Sequence, residues 1–163
     1  MSKYQLAQLN IAELKAPLDS PELKDFVDNL DRINALAESS PGFVWRLKGD
    51  GNDSTSLRPL GDSIIVNMST WRDVESLKDY VYKSAHVEIL KRKREWFTRM
   101  AIPYVLFWVP AGHTPTVAEA VARLERLRNH GASAEAFHFG AAFAAPDAEG
   151  AGAALSFPDT CPA

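Results

Sequence analysis

The side chains with the most suggestive spacing for chemistry lie between Ser69 and Met100. Apolar residues recur there every three or four positions, which predicts a long helix from about Asp73 to about Arg99 with a bend near Ser84. One face of this helix is apolar except at two polar positions, and these are the best candidates for function. The face consists of Tyr82, His86, Ile89, Leu90, Lys93, Trp96, Phe97 and Met100.

The two polar positions on this face each have a functional and a structural interpretation. His86 could act as an acid–base group, ligate iron or donate to a substrate oxygen. It could equally be a histidine at the edge of the core, hydrogen-bonded to backbone or to a carboxylate. Lys93 could neutralise an anionic ligand, or it could bury its stem and extend its ammonium group into water.

Polar side chains also interrupt two predicted strands, at Asn10 in residues 4–12 and at Asn67 in residues 63–70. A buried asparagine must find hydrogen-bond partners, and it can also hold a substrate carbonyl or a peroxide. Packing at the edge of the ladder is the alternative. Aromatic residues of the second helix, among them Tyr80, could line a ligand pocket, or they could pack in the core.

The order of predicted elements is strand, helix, strand, strand, helix, strand, followed by an extra helix. The strands cover residues 4–12, 43–48, 63–70 and 104–110, and the helices cover 20–38, 73–99 and 116–129. This order predicts an α+β, ferredoxin-like βαββαβ fold with a four-stranded antiparallel sheet. Thr116 and Glu119 form a T-x-x-E capping box at the start of the extra C-terminal helix. We expect one domain over residues 1–139 and a disordered Ala/Gly/Pro-rich tail over 140–163.

Two helices on one face of such a sheet would leave the other face exposed. Strands two to four would place aromatic and aliphatic side chains on it, and an apolar patch of that size needs a partner. The simplest partner is a second copy related by a two-fold axis, so that two sheets close into a dimeric α+β barrel. The sequence therefore predicts a homodimer.

Composition and motifs exclude several functional classes. The net charge of −3 argues against a nucleic-acid partner, which usually meets a basic excess. No apolar run reaches the roughly 20 residues of a membrane-spanning helix. The one cysteine, Cys161, and the lack of a visible signal peptide predict a cytoplasmic protein. No phosphate loop, HExxH or paired cysteines occur, so no metal site is expected.

Several segments of the chain resemble the dimeric α+β barrel superfamily, and within it an uncharacterised family, a domain of unknown function. The resembling segments span roughly residues 4–129 and include YQLAQLNIAELKAPLDSPEL, DSIIVNMSTWRDVESLKDYVYKSAHVEILKRKREWF and WVPAGHTPTVAEAVARLERLR. The superfamily includes antibiotic-biosynthesis monooxygenases, haem-degrading monooxygenases and stress-responsive barrels.

The resemblance also implies roles for particular residues. The haem-degrading members use an asparagine on strand one, a tryptophan on the second helix and, further along it, a histidine that ligates iron. Asn10 matches the asparagine, and DYVYKSAH places His86 at the iron-ligating position. Tyr80 stands where the tryptophan would be, at a shorter spacing from the histidine.

Two functional hypotheses follow. The first is a monooxygenase-like enzyme that acts on an aromatic or haem-like molecule between the second helix and the sheet. His86 and Asn10 would be catalytic, with Tyr80, Tyr82, Lys93, Trp96, Phe97 and Asn67 binding the ligand. No flavin or nicotinamide motif is present, so oxygen chemistry would be cofactor-independent or borne by haem. The second hypothesis is a non-catalytic homodimeric module for ligand binding or stress response.

Overall fold

The computed structural model describes residues 2–149, 151–152 and 154–155. A 3-10 turn, Pro21–Leu23, leads into the first helix. The helices are α1 (Lys24–Ser39), α2 (Val74–Lys83), α3 (His86–Lys91), α4 (Lys93–Trp96) and α5 (Val117–His130). The strands are β1 (Tyr4–Leu14), β2 (Phe43–Arg46), β3 (Ile64–Trp71), β4 (Phe97–Thr98), β5 (Tyr104–Pro110), β6 (Ala142–Phe143) and β7 (Ala154–Leu155).

The main sheet has the order β2–β3–β1, and the second edge of β1 pairs with both β5 and β4. Every pair in it is antiparallel. This arrangement confirms the predicted α+β, ferredoxin-like fold. It differs from the prediction in one respect, because β4 and β5 share the fourth position and make the sheet five-stranded. The innermost strands are therefore β1 and β3.

The predicted second helix is broken into α2, α3 and α4. The predicted bend near Ser84 is confirmed, since Ser84 has extended backbone angles of φ −103° and ψ −178°. Its hydroxyl donates to the Tyr80 carbonyl and accepts from the His86 backbone N–H at 3.2 Å. A serine side chain that takes over backbone hydrogen bonds in this way competes with the helix. The prediction that the helix continues to Arg99 is wrong, because α4 ends at Trp96 and the next residue begins β4.

One face of the sheet, here called the α5 face, is covered by the extra helix of the same chain. Its members alternate along the strands and are at most 5% exposed: Ala7, Leu9, Ile11, Val66, Met68, Val105, Phe107 and Val109. Ala120, Leu124 and Leu127 of α5 pack against them. The expectation that this face is exposed is therefore wrong, and it no longer supplies a reason for a second copy.

The cover of the α5 face depends on a well-formed helix start. Thr116 Oγ1 accepts from the Glu119 backbone N–H at 3.1 Å, and a Glu119 carboxylate oxygen accepts from the Thr116 backbone N–H at 2.8 Å. Both halves of the predicted capping box are thus present. The loop between β2 and β3 adds Leu57 and Leu60 to the same apolar cluster.

The chain continues to pack on the domain beyond the predicted boundary at Phe139. Phe137 exchanges two backbone hydrogen bonds with Leu106, of 2.7 and 2.9 Å, at the outer edge of β5. The side chain of Ala142 is buried, and Asp147 accepts from the Lys3 backbone N–H at 2.6 Å. Ala142 and Asp147 thus contact the domain, and the boundary at Phe139 and the disordered tail over 140–163 stay predictions. Residues 156–163 of the predicted tail lie outside the described residues.

Candidate functional site

The opposite face of the sheet, here called the cleft face, has an opening at its centre. Its members on the inner strands are Leu6, Gln8, Asn10, Ile65, Asn67, Ser69 and Trp71. Asn10 and Asn67 are register partners in the middle of β1 and β3, yet both are exposed. A side chain at the centre of the inner strands is buried wherever helices cover the sheet. Helices α1 to α4 therefore leave the sheet open above this pair.

A chain of polar side chains leads from this opening into the core. The Gln8 side-chain amide donates to Asn67 Oδ1 at 2.7 Å and to Ser69 Oγ at 2.9 Å. Trp71 Nε1 donates to the same Ser69 oxygen at 2.8 Å. Gln8, Ser69 and Trp71 are all buried, so their polar groups depend on one another for hydrogen bonds.

Aromatic contacts continue the chain from the sheet to the helices. The rings of Trp71 and Tyr80 stack with centroids 5.2 Å apart and an interplanar angle of 24°. Tyr80 in turn contacts the His86 ring at 4.9 Å, and its hydroxyl donates to the Ile33 carbonyl of α1 at 3.2 Å. Burial raises the pKa of the Tyr80 hydroxyl well above its usual range, so this group remains a neutral donor.

His86 begins α3, directly after the break at Ser84, and its ring is half-buried. Its Nδ1 lies 3.3 Å from the Val81 carbonyl oxygen. Because a carbonyl can only accept, Nδ1 carries the proton in this contact and Nε2 keeps its lone pair. Burial lowers the pKa of His86, and the hydrogen bond to Val81 only partly opposes this. At neutral pH the imidazole is a neutral acceptor, able to take a proton or to bind a cation.

We define the cleft as the opening at Asn10 and Asn67 together with the side chains connected to it by these contacts. They are Gln8, Ser69, Trp71, Tyr80 and His86. Of the residues predicted from sequence, the structure thus connects Asn67, Tyr80 and His86 through hydrogen bonds and ring contacts and places Asn10 beside Asn67.

The other predicted ligand-binding residues lie in different surroundings. Trp96 is 1% exposed, and the guanidinium carbon of Arg92 lies 4.8 Å from the centroid of the Trp96 ring. Phe97 lies in β4 and packs edge-on against Phe26 of α1 at 5.0 Å. Tyr82 packs against Phe139, with ring centroids 5.6 Å apart. Lys93 is half-buried on α4. The aromatic members of this set all pack against other aromatic rings of the same chain.

Three members of the cleft, Gln8, Ser69 and Trp71, were not among the predicted site residues. A signal for two of them exists in the sequence. Gln8 precedes Asn10 by two positions and Ser69 follows Asn67 by two, so each strand carries two polar residues on one face. Two polar pairs on the helix-facing side of a sheet predict a polar surface there, once the strands are known to be neighbours.

Haem fits the donor atom at this site, but the Tyr80 ring, 4.9 Å from the His86 ring, already occupies part of the space beside it. The Nε2 lone pair of His86 suits an iron ligand. A porphyrin also needs a deep apolar slot beside its ligand. Among the concave regions of the described residues, one of about 540 Å³ lies along β2 and one of about 290 Å³ lies beside Trp108, and neither is lined by His86, Asn10 or Asn67. Within the described residues, no cluster of three or more His, Cys, Asp or Glu side chains could hold a metal ion.

No helix within the described residues is long and apolar enough to cross a bilayer.

Comparison with solved structures finds several proteins of low sequence identity to this chain. SnoaB from Streptomyces nogalater, described as a cofactor-independent oxygenase, is 15% identical with a TM-score of 0.46, over 68% of this chain and 95% of its own. A conserved protein from Methanosarcina mazei is 13% identical with a TM-score of 0.47, over 66% and 93% of the two chains. A ferredoxin-like dabb family protein from Mesorhizobium loti is 15% identical with a TM-score of 0.42, over 69% and 98%.

At these identities and TM-scores, the likeness does not extend to chemistry. No curated protein matches the chain significantly. A family model does match, over residues 5–153, and this range includes every residue of the cleft. The resemblance to an uncharacterised family is thereby confirmed, and the chain belongs to the family described as a domain of unknown function, DUF3291.

Proposed function

We propose that the protein binds a small, flat, oxygen-bearing organic molecule in the cleft and acts on it as a monooxygenase-like enzyme. The observation that carries this proposal is the exposure of Asn10 and Asn67 at the centre of the two inner strands. Two amide side chains in register are a poor way to fill a core, since each must find partners. They are well suited to hold an oxygen atom of a ligand.

The chemistry requires a base, and His86 supplies the right protonation state. Its neutral imidazole can remove a proton from a phenol or an enol, and the amides of Asn10 and Asn67 can hold the substrate oxygen. The resulting electron-rich anion reacts with dioxygen directly. For a substrate with a reactive methylene, the carbon exchanges two hydrogens for one oxygen atom, and the second oxygen atom leaves as water. No flavin or nicotinamide enters this scheme.

Anthrone is a suitable probe because it is flat, carries one carbonyl and forms an enol. We expect wild-type protein to accelerate oxygen uptake and anthraquinone formation above the rate in buffer. His86→Ala should lower the rate at least 100-fold, in line with loss of a general base. His130→Ala, which removes an exposed histidine of α5, is the matched control and should leave the rate unchanged. A wild-type rate equal to that in buffer would exclude oxygenation of this substrate class.

The non-catalytic alternative is favoured by the packing of the aromatic residues. Trp96, Phe97 and Tyr82 all contact other aromatic rings of the same chain. A binding module would bind anthrone without consuming oxygen, so a binding isotherm with no uptake would support it. The homodimer and the cytoplasmic location remain predictions, and sedimentation at micromolar concentration tests the homodimer.

Hemin titration tests the haem-linked version of the enzyme. Because the Tyr80 ring packs against the His86 ring, we expect no saturable Soret band that depends on this residue. A saturable band in wild type that disappears in His86→Ala would show that this expectation is wrong.

A further inference from the structure

The side chain of Asn67 is held at one end only. Its Oδ1 accepts from the Gln8 amide at 2.7 Å, and Gln8 is only 8% exposed. Within the described residues, the Asn67 Nδ2 group donates no side-chain hydrogen bond, and the residue is exposed in the cleft. The Asn67 oxygen thus has a partner inside the protein, whereas its NH₂ group is available to a ligand.

Gln8 is itself held in place from the core. Its amide also donates to Ser69 Oγ at 2.9 Å, and that oxygen accepts from Trp71 Nε1 at 2.8 Å. The indole N–H can only donate, so it fixes Ser69 Oγ as an acceptor at this contact. Trp71 is 0% exposed and stacks on Tyr80, which gives the chain of hydrogen bonds a rigid start.

Asn10 is different, although it is the register partner of Asn67. Within the described residues, its side chain makes no hydrogen bond, so its amide can turn either end toward a ligand. Of the two asparagines, only Asn67 has an orientation imposed by the protein.

We propose that Gln8 is a positioning residue that sets the hydrogen-bonding polarity of the cleft. By occupying Asn67 Oδ1 it turns the Asn67 NH₂ group toward the ligand. The cleft then favours a ligand that presents an acceptor oxygen, such as a ketone, an enolate or a phenolate, over one that can only donate. This inference rests on the proposed function, because it specifies the ligand class of the same site.

Two bicyclic probes of similar size separate acceptor from donor recognition. 1-Indanone carries a carbonyl acceptor, and indole carries an N–H donor. NMR titration gives the ratio of their two affinities for each protein variant. The change in this ratio between variants is the measurement, so differences in solubility and in hydrophobicity between the probes cancel.

Gln8→Met removes the hydrogen bond to Asn67 Oδ1 and should lower the preference for 1-indanone about threefold to tenfold. Gln8→Glu should reverse the preference. A carboxylate only accepts, so it would accept from Asn67 Nδ2 and leave Oδ1 facing the ligand. Gln5→Glu makes the same chemical change on β1, but Gln5 lies on the α5 face of the strand. This variant should leave the affinity ratio unchanged.

The possible failures are distinguishable. If Gln8→Glu weakens the binding of both probes equally and leaves the ratio of their affinities unchanged, Gln8 has only a structural role and the inference is wrong. If wild type binds neither probe, the proposed function fails for bicyclic ligands and this inference fails with it.

A second measurement does not depend on a folded variant. In wild type, hydrogen exchange by NMR should show slow exchange of the Gln8 side-chain amide protons and fast exchange of those of Asn67. Slow exchange at Asn67 would mean that its NH₂ group is bonded within the protein, and this would overturn the proposal.

Discussion

The two faces of the central sheet are covered in different ways, and adjacent residues of β1 show the contrast. Leu9 points to the α5 face and is 0% exposed, whereas Asn10 points to the cleft face and is exposed. One uninterrupted helix of 14 residues covers the first face. The second is covered by α1 and by three short helices that replace one long one. The cleft exists where the helical cover is interrupted, so the breaks in the helix are part of the site.

Local sequence explains why one helix is continuous and the other is not. α5 begins at a complete capping box and is followed by Gly131, whose φ of 76° favours glycine. The other stretch contains Ser84, whose hydroxyl replaces a backbone partner. Polar groups thus lie on the cleft face, next to a second apolar cluster that includes Leu6 and Trp71.

The largest effect should come from the neighbouring pair Leu9 and Asn10. Leu9→Ala removes a fully buried side chain and should lower the free energy of unfolding by about 2–5 kcal/mol. Asn10→Ala, one position along, should change it by less than about 0.5 kcal/mol because the side chain is exposed. Urea denaturation measures both values. Similar losses in the two variants would mean that the faces are equally packed.

A smaller loss is expected from the polar chain beneath the cleft. Ser69→Ala removes the acceptor of Trp71 Nε1, which is buried, and should cost about 1–3 kcal/mol. Ser63→Ala, at an exposed serine just before β3, is the matched control and should be close to neutral. Urea denaturation again provides the comparison. A neutral Ser69→Ala would show that the chain of hydrogen bonds contributes no stability.

The start of α5 should matter less than its packing. Thr116→Ala removes the capping hydroxyl and should lower the free energy of unfolding by about 1 kcal/mol. Thr114→Ala, an exposed threonine outside the helix, makes the same chemical change without loss of a cap. Thermal unfolding of the two variants should separate them, and equal midpoints would contradict the role of the capping box.

The smallest effect concerns pH and His86. Because burial lowers the pKa of this group below its ordinary value of 6.5, the unfolded chain binds its proton first as the pH falls. Its contribution to stability is therefore complete above about pH 6.5 and decreases below it. His86→Gln should show a flatter decline of stability with falling pH than wild type, while His130→Gln should follow wild type. Urea denaturation at several pH values tests this, and parallel curves for His86→Gln and wild type would contradict it.

Much of the fold was predictable because its signals are local. Alternating apolar residues identified β1 and β3, the T-x-x-E pattern located α5, and Ser84 marked the first break. The second break, at Arg92, has no comparable signal, since its neighbours are good helix formers. Which face of the sheet α5 covers depends on tertiary packing, and local sequence patterns do not reveal that face.

The candidate site was predictable only in part for the same reason. Asn10 and Asn67 could be recognised as polar exceptions, but their pairing depends on strand register, which a single strand does not reveal. Trp96 and Phe97 were assigned to a ligand because of their helical spacing. Their contacts with Phe26 depend on where α4 ends, and this was not visible in the sequence.

The central position of β1 has a consequence for synthesis. Its partners come late, since Leu14 precedes the first residue of β3, Ile64, by 50 positions, and β5 starts at Tyr104. At the roughly 5–20 residues per second of translation, β1 would leave the ribosome several seconds before β3 could pair with it. During that interval Leu6 and Leu9 have no sheet to join. The strand that holds the finished protein together is therefore the one most in need of protection from aggregation while the chain is being made.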